Sequence, residues 1–318
     1  MNRVCEMLGL KYPIICAGMV WWSTAKLCTA AAEAGILGLL AGGSHTAEEM
    51  GRAIDQVRAR TGGAFGVNIP LLYSHAEGII NVALEKGVKI FFTSAGSPKL
   101  WTKRLHDAGA IVVHVVPSAK LAKKCEDAGV DAVVAEGMEG GGHISPDEVA
   151  STVLWPAVAD AVKIPIIAAG GIADARGMAA AFALGAEAVQ IGTRFIACAE
   201  SEGAASYVER LLAIDETGTA VTGRGFEGVR GIRNKLTDAI LEMERAGKSK
   251  DEILAFIGAG RSRAATLDGD VDWGSMQCGQ VAGLVHDRPP LAEIVRRIVD
   301  DYRRIAERVV SMNPGCRN

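Results

Sequence analysis

The chain has 318 residues, a formal net charge of −3 and 49% hydrophobic residues. That is enough to bury a large core, either as two average domains or as one α/β barrel with additions. The small net charge, with no block of like charges, argues against a nucleic-acid or membrane-surface protein.

From the N-terminus, MNRVCEMLGL brings Glu6 before any apolar run could form a signal peptide. The cysteines at 5, 16, 28, 125, 198, 278 and 316 are scattered and never in C-x-x-C spacing. They read as reduced thiols of a cytoplasmic protein, not as a disulfide frame or a zinc site. Short apolar runs then recur at 13–19, 36–42, 65–71, 89–96, 110–117, 131–137, 165–171 and 188–195. Polar-periodic helical stretches such as 46–60, 118–129 and 174–186 separate them. Near-continuous apolar strands alternating with helices predict a parallel sheet covered by helices. Gly35, Gly87, Gly109, Gly129 and Gly185 each stand where a helix would end before the next strand. Eight such units within about 195 residues match a (β/α)8 TIM barrel. A doubly wound sheet would instead place G-x-G-x-x-G after the first strand, and CAGMVWWS, AAGGIAD and GAGRSR all miss that spacing.

The reading therefore divides the chain into a barrel core at 1–195, a small helical lid at 196–288 and a C-terminal segment at 289–318. ERLLAIDETGTA and NKLTDAILEMERAGKSKDEILAFIG read as helical hairpins of the lid. The amphipathic stretch 289–310, with Ile294, Ile298 and Ile305, reads as a helix that packs back on the barrel from outside. Ser275 is expected to N-cap a helix through 277–284.

In a barrel of this kind the site lies at the C-terminal strand ends, with phosphate after strands 7 and 8. Here those ends carry Ala169, Gly170 and Gly171, then Gly192 and Thr193. Small residues let an anion approach backbone N–H groups, and the helix starting at Asp174 would aim its positive end there. The other ends offer Ala17, Gly18, Met19, Asn68, Ser94 and Glu136. Small groups and isolated amides suit a flat uncharged ring, so phosphate and ring together point to FMN; a sugar phosphate would call for more charge. Glu136 would bind flavin hydroxyls, organise a cation or be a solvated carboxylate. In EGMEGGGHIS (136–145), Gly140, Gly141 and Gly142 would clear the ring and bring His143 back over its reactive face. Trp21, Trp22 and Trp273 are candidates for an apolar wall. Arg230, Arg233 and Lys235 would meet a phosphate or form a solvated face.

The segments EGMEGGGHI, IPIIAAGGIADARGMAAAFALGAEAVQIGTRF and GDVDWGSMQCGQVAGLV resemble the FMN-dependent enoyl-acyl-carrier-protein reductase II family and its relatives, the nitronate monooxygenases. GDVDWGS…GQVAGL and VTGRGFEGVRGIRNKL resemble the reductases more. The chain departs from them at Gly140, commonly Ala, at Ser145, commonly Gly, and in SPDEVAST, which replaces a more basic loop. The resemblance implies an enzyme that uses NADH or NADPH to reduce the double bond of an enoyl thioester, carried by acyl-carrier protein or coenzyme A. His143 would orient the thioester carbonyl or assist proton transfer, and Gln280 would lie near the cofactor. The alternatives are a nitronate monooxygenase, in which His143 acts on the nitronate, and a flavin- or sugar-phosphate-binding barrel without turnover. No metal is expected, and a homodimer is left open.

Overall fold

The computed structural model describes residues 2–312; Cys316 lies outside them, as does the end of the 289–318 segment. The six described cysteines are free. Eight parallel strands close a barrel: β1 (Ile14–Cys16), β2 (Leu37–Ala41), β3 (Phe65–Pro70), β4 (Ile90–Ser94), β5 (Ile111–Val116), β6 (Ala132–Glu136), β8 (Ile166–Ala169) and β9 (Ala188–Ile191). Closure is by β1 on β9, with Ile15 opposite Gln190. Each strand falls inside one of the eight apolar runs. Gly35, Gly87, Gly109, Gly129 and Gly185 all adopt positive φ, as a left-handed helix end demands.

Strand alternation sorts the core into two layers. Ile15, Leu37, Leu39, Ile90, Phe92, Val113, Val134 and Ile167 fill the barrel, and Val4 and Leu8 of the first helix join them at its lower end. Cys16, Leu40, Phe91, Val112, Val133 and Ala168 face the helices. The same alternation brings the next inward positions, Ala17, Ser94, Val115, Glu136 and Gln190, to the barrel mouth.

Beyond the barrel, helix Lys235–Arg245 and helix Lys250–Ile257 form the expected hairpin. The rest of the lid differs from the helical expectation. ERLLAIDETGTA begins inside helix Ala205–Leu212 but ends in a strand, β10 (Thr219–Thr222), which pairs with β11 (Val229–Ile232). β11 pairs in turn with β7 (Gly142–His143), the end of the glycine-rich segment. Thr219, Val221 and Val229 are β-branched and fit a pleated surface, a signal hidden by the helix-forming residues just before them. Ser275 caps no helix; a 3-10 turn runs from Gln280 to Leu284 with Gly279 before it. The C-terminal helix Leu291–Ser311 buries Leu291, Ile294, Val295 and Ile298 in the outer core layer. Among the described residues no helix is long and apolar enough to cross a membrane.

Candidate active site

The mouth opens into a cleft lined by Ala17, Gly18, Met19, Asn68, Ser94, Glu136, Gly141, Gly142, His143, Ala169, Gly170, Gly171, Gly192 and Thr193. The sequence-predicted set is thus brought together, with one exception. Gln280 is off the cleft wall and donates its N–H to the Glu139 carbonyl at 3.0 Å; Gln277 lines the cleft instead. Among the residues that the sequence did not disclose, Gln190 lies on the last barrel strand, while Tyr207, Ser262, Thr266, Gln277 and Cys278 come from far along the chain. Only Gln190 had a local signal, as an amide inside an apolar strand end.

The first strand end is held by short bonds. Ser23 donates from Oγ to the Ala17 carbonyl at 2.6 Å and accepts from the Met19 N–H at 2.8 Å. Asn68 donates from Nδ2 to the Gly18 carbonyl at 3.3 Å, and a Cβ on Gly18 would lie 3.0 Å from Asn68 Cγ. Trp22 is buried and meets Tyr207 edge-on at 4.8 Å between ring centroids, a pairing worth about 0.5–1.5 kcal/mol beyond area burial. Tyr207 donates its hydroxyl to the Gln277 carbonyl at 2.9 Å, tying this wall to the loop opposite. Trp273 is largely exposed and lies off the cleft wall.

At the other end, Gly170 and Gly171 have φ of 84° and 71°. Among the described residues the N–H groups of Gly171, Ile172 and Thr193 make no hydrogen bond within the chain, so they are free to bind an anion. The helix Ala175–Ala183 follows in the chain. Its first turn is already capped by Asp174, whose carboxylate accepts from the Arg176 N–H at 2.8 Å and from its Nε at 2.9 Å. Gly171 and Ile172 belong to the loop after β8, and Thr193 opens the short helix Thr193–Ile196. Thr193 Oγ1 accepts from the Gly279 N–H at 2.9 Å, which seats the 277–279 loop against this strand end.

The glycines before His143 also lie close to other parts of the chain. A Cβ on Gly141 would stand 2.6 Å from Cys278 Cα and Gly279 N, and one on Gly140 would stand 3.0 Å from Glu136 Oε1. The Cys278–Gly279 backbone excludes a side chain at Gly141, whereas at Gly140 the neighbour is the end of the Glu136 side chain. Gly142, with φ of 82°, starts β7. His143 is exposed and its ring makes no hydrogen bond among the described residues. Glu139 accepts from the Ser151 N–H at 3.1 Å and from its Oγ at 2.8 Å, and the same Oγ lies 3.2 Å from the Gly170 carbonyl. Arg230 is buried in β11, while Lys235 pairs with Asp272 on the surface at 2.7 Å. His114 is buried on β5; its Nδ1 lies 2.7 Å from Thr93 Oγ1. Burial pulls its pKa down to about 4.

A second, larger cavity of about 1220 Å³ adjoins the cleft. Val20, Ser94, Val115, Glu136 and His143 line both. Its walls are mainly apolar, with Pro70, Leu72, Tyr73, Val116, Leu121 and Ile144 among them.

A cleft of amides and glycines with a free imidazole at its rim suits a planar cofactor better than a nucleophile and its base, and the protein is an oxidoreductase of the TIM-barrel class. The chain belongs to the nitronate monooxygenase family, whose model matches residues 2–79 and 72–301. Among solved structures it is similar to FabK from Thermotoga maritima, with 39% identity, a TM-score of 0.93 and coverage of 98% of this chain and 99% of that one. A (3aS,4S,5R,7aS)-5-hydroxy-7a-methyl-1-oxo-octahydro-1H-indene-4-carboxyl-CoA dehydrogenase of Mycobacterium tuberculosis is 33% identical, over 93% of this chain and 94% of that protein. A probable nitronate monooxygenase of Staphylococcus aureus is 31% identical, over 96% and 98% respectively.

Proposed function

We propose that the protein is an FMN-dependent reductase that uses NADH or NADPH to saturate the carbon–carbon double bond of 2-enoyl thioesters. The family is flavin-dependent, and the residues fit that group. The free N–H groups of Gly171, Ile172 and Thr193 would hold the phosphate, and Ala17, Asn68, Ser94 and Gln190 would surround the ring. FMN, when bound, supplies hydride exchange between the nicotinamide and the β-carbon of the substrate. His143 orients the thioester carbonyl or assists the proton transfer, a range of roles open to an imidazole.

The observation that carries this reading is the second cavity. Its volume of about 1220 Å³ exceeds the ~300–1,000 Å³ usual for drug-sized ligands. An acyl chain with its pantetheine arm needs such a space, whether the carrier is acyl-carrier protein or coenzyme A. A nitronate of a few carbons does not. The relative named for a carboxyl-CoA substrate supports the same substrate class.

The second reading is nitronate oxidation with O2, favoured by the family description and by the Staphylococcus aureus relative. In it His143 acts on the nitronate. The two readings separate in one experiment: anaerobic reduction of the cofactor by NADH or NADPH, then reoxidation by short and long enoyl thioesters, by a nitronate or by O2. The reductase reading expects reduction by a nicotinamide and fastest reoxidation by a long enoyl thioester. Nitronate turnover that consumes O2, needs no nicotinamide and far exceeds enoyl turnover would overturn it.

A further inference from the structure

Glu136 stands where the two cavities meet. It ends β6 on the inward side, above Ala132 and Val134 of the barrel core. It is one of the few residues, with Ser94 and His143, that line both spaces. Its carboxyl therefore lies at the border between the large cavity and the cleft. The loop that follows folds closely over it, since a Cβ on Gly140 would come 3.0 Å from Oε1. Among the described residues no side chain or backbone N–H donates to this carboxylate, although it is open to the cleft.

The titratable groups that share its two spaces are mostly acidic or uncharged. In the cleft these are Glu139, which is tied to Ser151, together with His143, Tyr207 and Cys278. No Lys or Arg lines the cleft among the described residues. Across the larger cavity are His114 on β5, Lys99, Lys124, Asp127 and Glu227. Enclosure without a donor favours the neutral acid, and burial pushes the Glu136 carboxyl up to about 7. An anionic phosphate bound in the cleft would push in the same direction.

We propose that Glu136 is a catalytic acid that protonates the α-carbon of the enoyl thioester. The inference rests on the reductase reading. Hydride adds at the β-carbon with its electron pair as the π bond breaks. The freed pair takes the Glu136 proton at the α-carbon, the carboxyl O–H bond breaks, and water entering through the cleft restores the proton. His143 is then left to hold the thioester carbonyl.

Two measurements on the flavin-loaded protein test this. Infrared difference spectra should show a protonated-carboxyl band that fades as pH rises through about 7 and is missing in Glu136→Gln. In stopped flow, reoxidation by an enoyl thioester should slow over the same pH range. Glu136→Gln should lose that pH dependence and slow the step ~10²–10⁴-fold below neutrality, while reduction by nicotinamide changes little. A Glu136 that stays ionised below neutrality would overturn the assignment. So would a variant whose sole defect is loss of cofactor, because the carboxylate would then be a holding group. If no enoyl thioester reoxidises the protein at any pH, the reductase reading falls and this inference with it, a result distinct from an absent carboxyl band.

Discussion

The buried guanidinium of Arg230 donates from Nε to the carbonyl of Met138 at 3.0 Å. Arg230 also faces Gly142 across the β7–β11 pair, and its Nη1 donates to Thr219 Oγ1 at 3.2 Å. One residue thus holds both ends of the loop that carries Glu139 and the glycines up to His143. Hydrogen bonds to a charged donor contribute about 1.5–3 kcal/mol, and the orphaned Met138 carbonyl adds to the loss. Arg230→Met should lower the unfolding free energy by roughly that amount and slow the substrate half-reaction more than it weakens cofactor binding. Denaturant unfolding and stopped flow check the two effects. An unchanged unfolding midpoint would show that the ladder alone holds the loop.

His143 is exposed and is fixed through its backbone, opposite Val229. Its side chain supports no packed core, so His143→Ala should keep its melting temperature and cofactor content. The substrate half-reaction should slow ~10²–10⁴-fold, the range for acid–base or orienting groups. Reduction by nicotinamide should suffer less. Equal rates of reoxidation in the variant and the parent would make His143 a bystander.

Two glycines of the cleft should fail in opposite ways. A Cβ on Gly192 would meet nothing nearer than Met19 Sδ at 3.4 Å, and its φ is −108°. Gly192→Leu should therefore fold and melt much as the parent does, yet release its flavin. At Gly141 a Cβ would press into the Cys278–Gly279 backbone. Gly141→Ala should destabilise the lid even without cofactor, by about 1–3 kcal/mol as overpacking does. Thermal melts of flavin-free protein distinguish the two.

His114 predicts acid sensitivity. Its pKa is about 4 in the fold against 6.5 for a free imidazole, because burial disfavours the charged ring. Between those values the unfolded chain binds a proton that the native chain refuses, so stability falls as pH drops from about 6.5 to about 4. At ~1.4 kcal/mol per unit the loss approaches ~3 kcal/mol. His114→Asn, which keeps a partner for Thr93, should flatten this part of the stability–pH curve. A parallel curve for parent and variant would assign the acid sensitivity to other groups.

The sequence by itself determined the barrel, because its signals are local. Each apolar run, each left-handed glycine such as Gly129, and each helical stretch is encoded within a few neighbouring residues. Strand ends in a barrel converge on one face whatever the side chains, so Ala17, Asn68, Ser94, Glu136, Gly171 and Thr193 could be assembled without coordinates. Only the tertiary structure decided how the 196–288 segment meets the cleft. β7 and β11 join residues that lie nearly ninety positions apart, and a two-residue strand such as β7 has no pattern until its partner is present. The same holds for Tyr207, Gln277 and Cys278, which are ordinary residues in their own segments and become cleft wall through long-range packing. It also holds for the glycines before His143. Their number was legible, but the backbone of Cys278 and Gly279 that requires Gly141 comes from a distant part of the chain, and no local periodicity records a contact of that range.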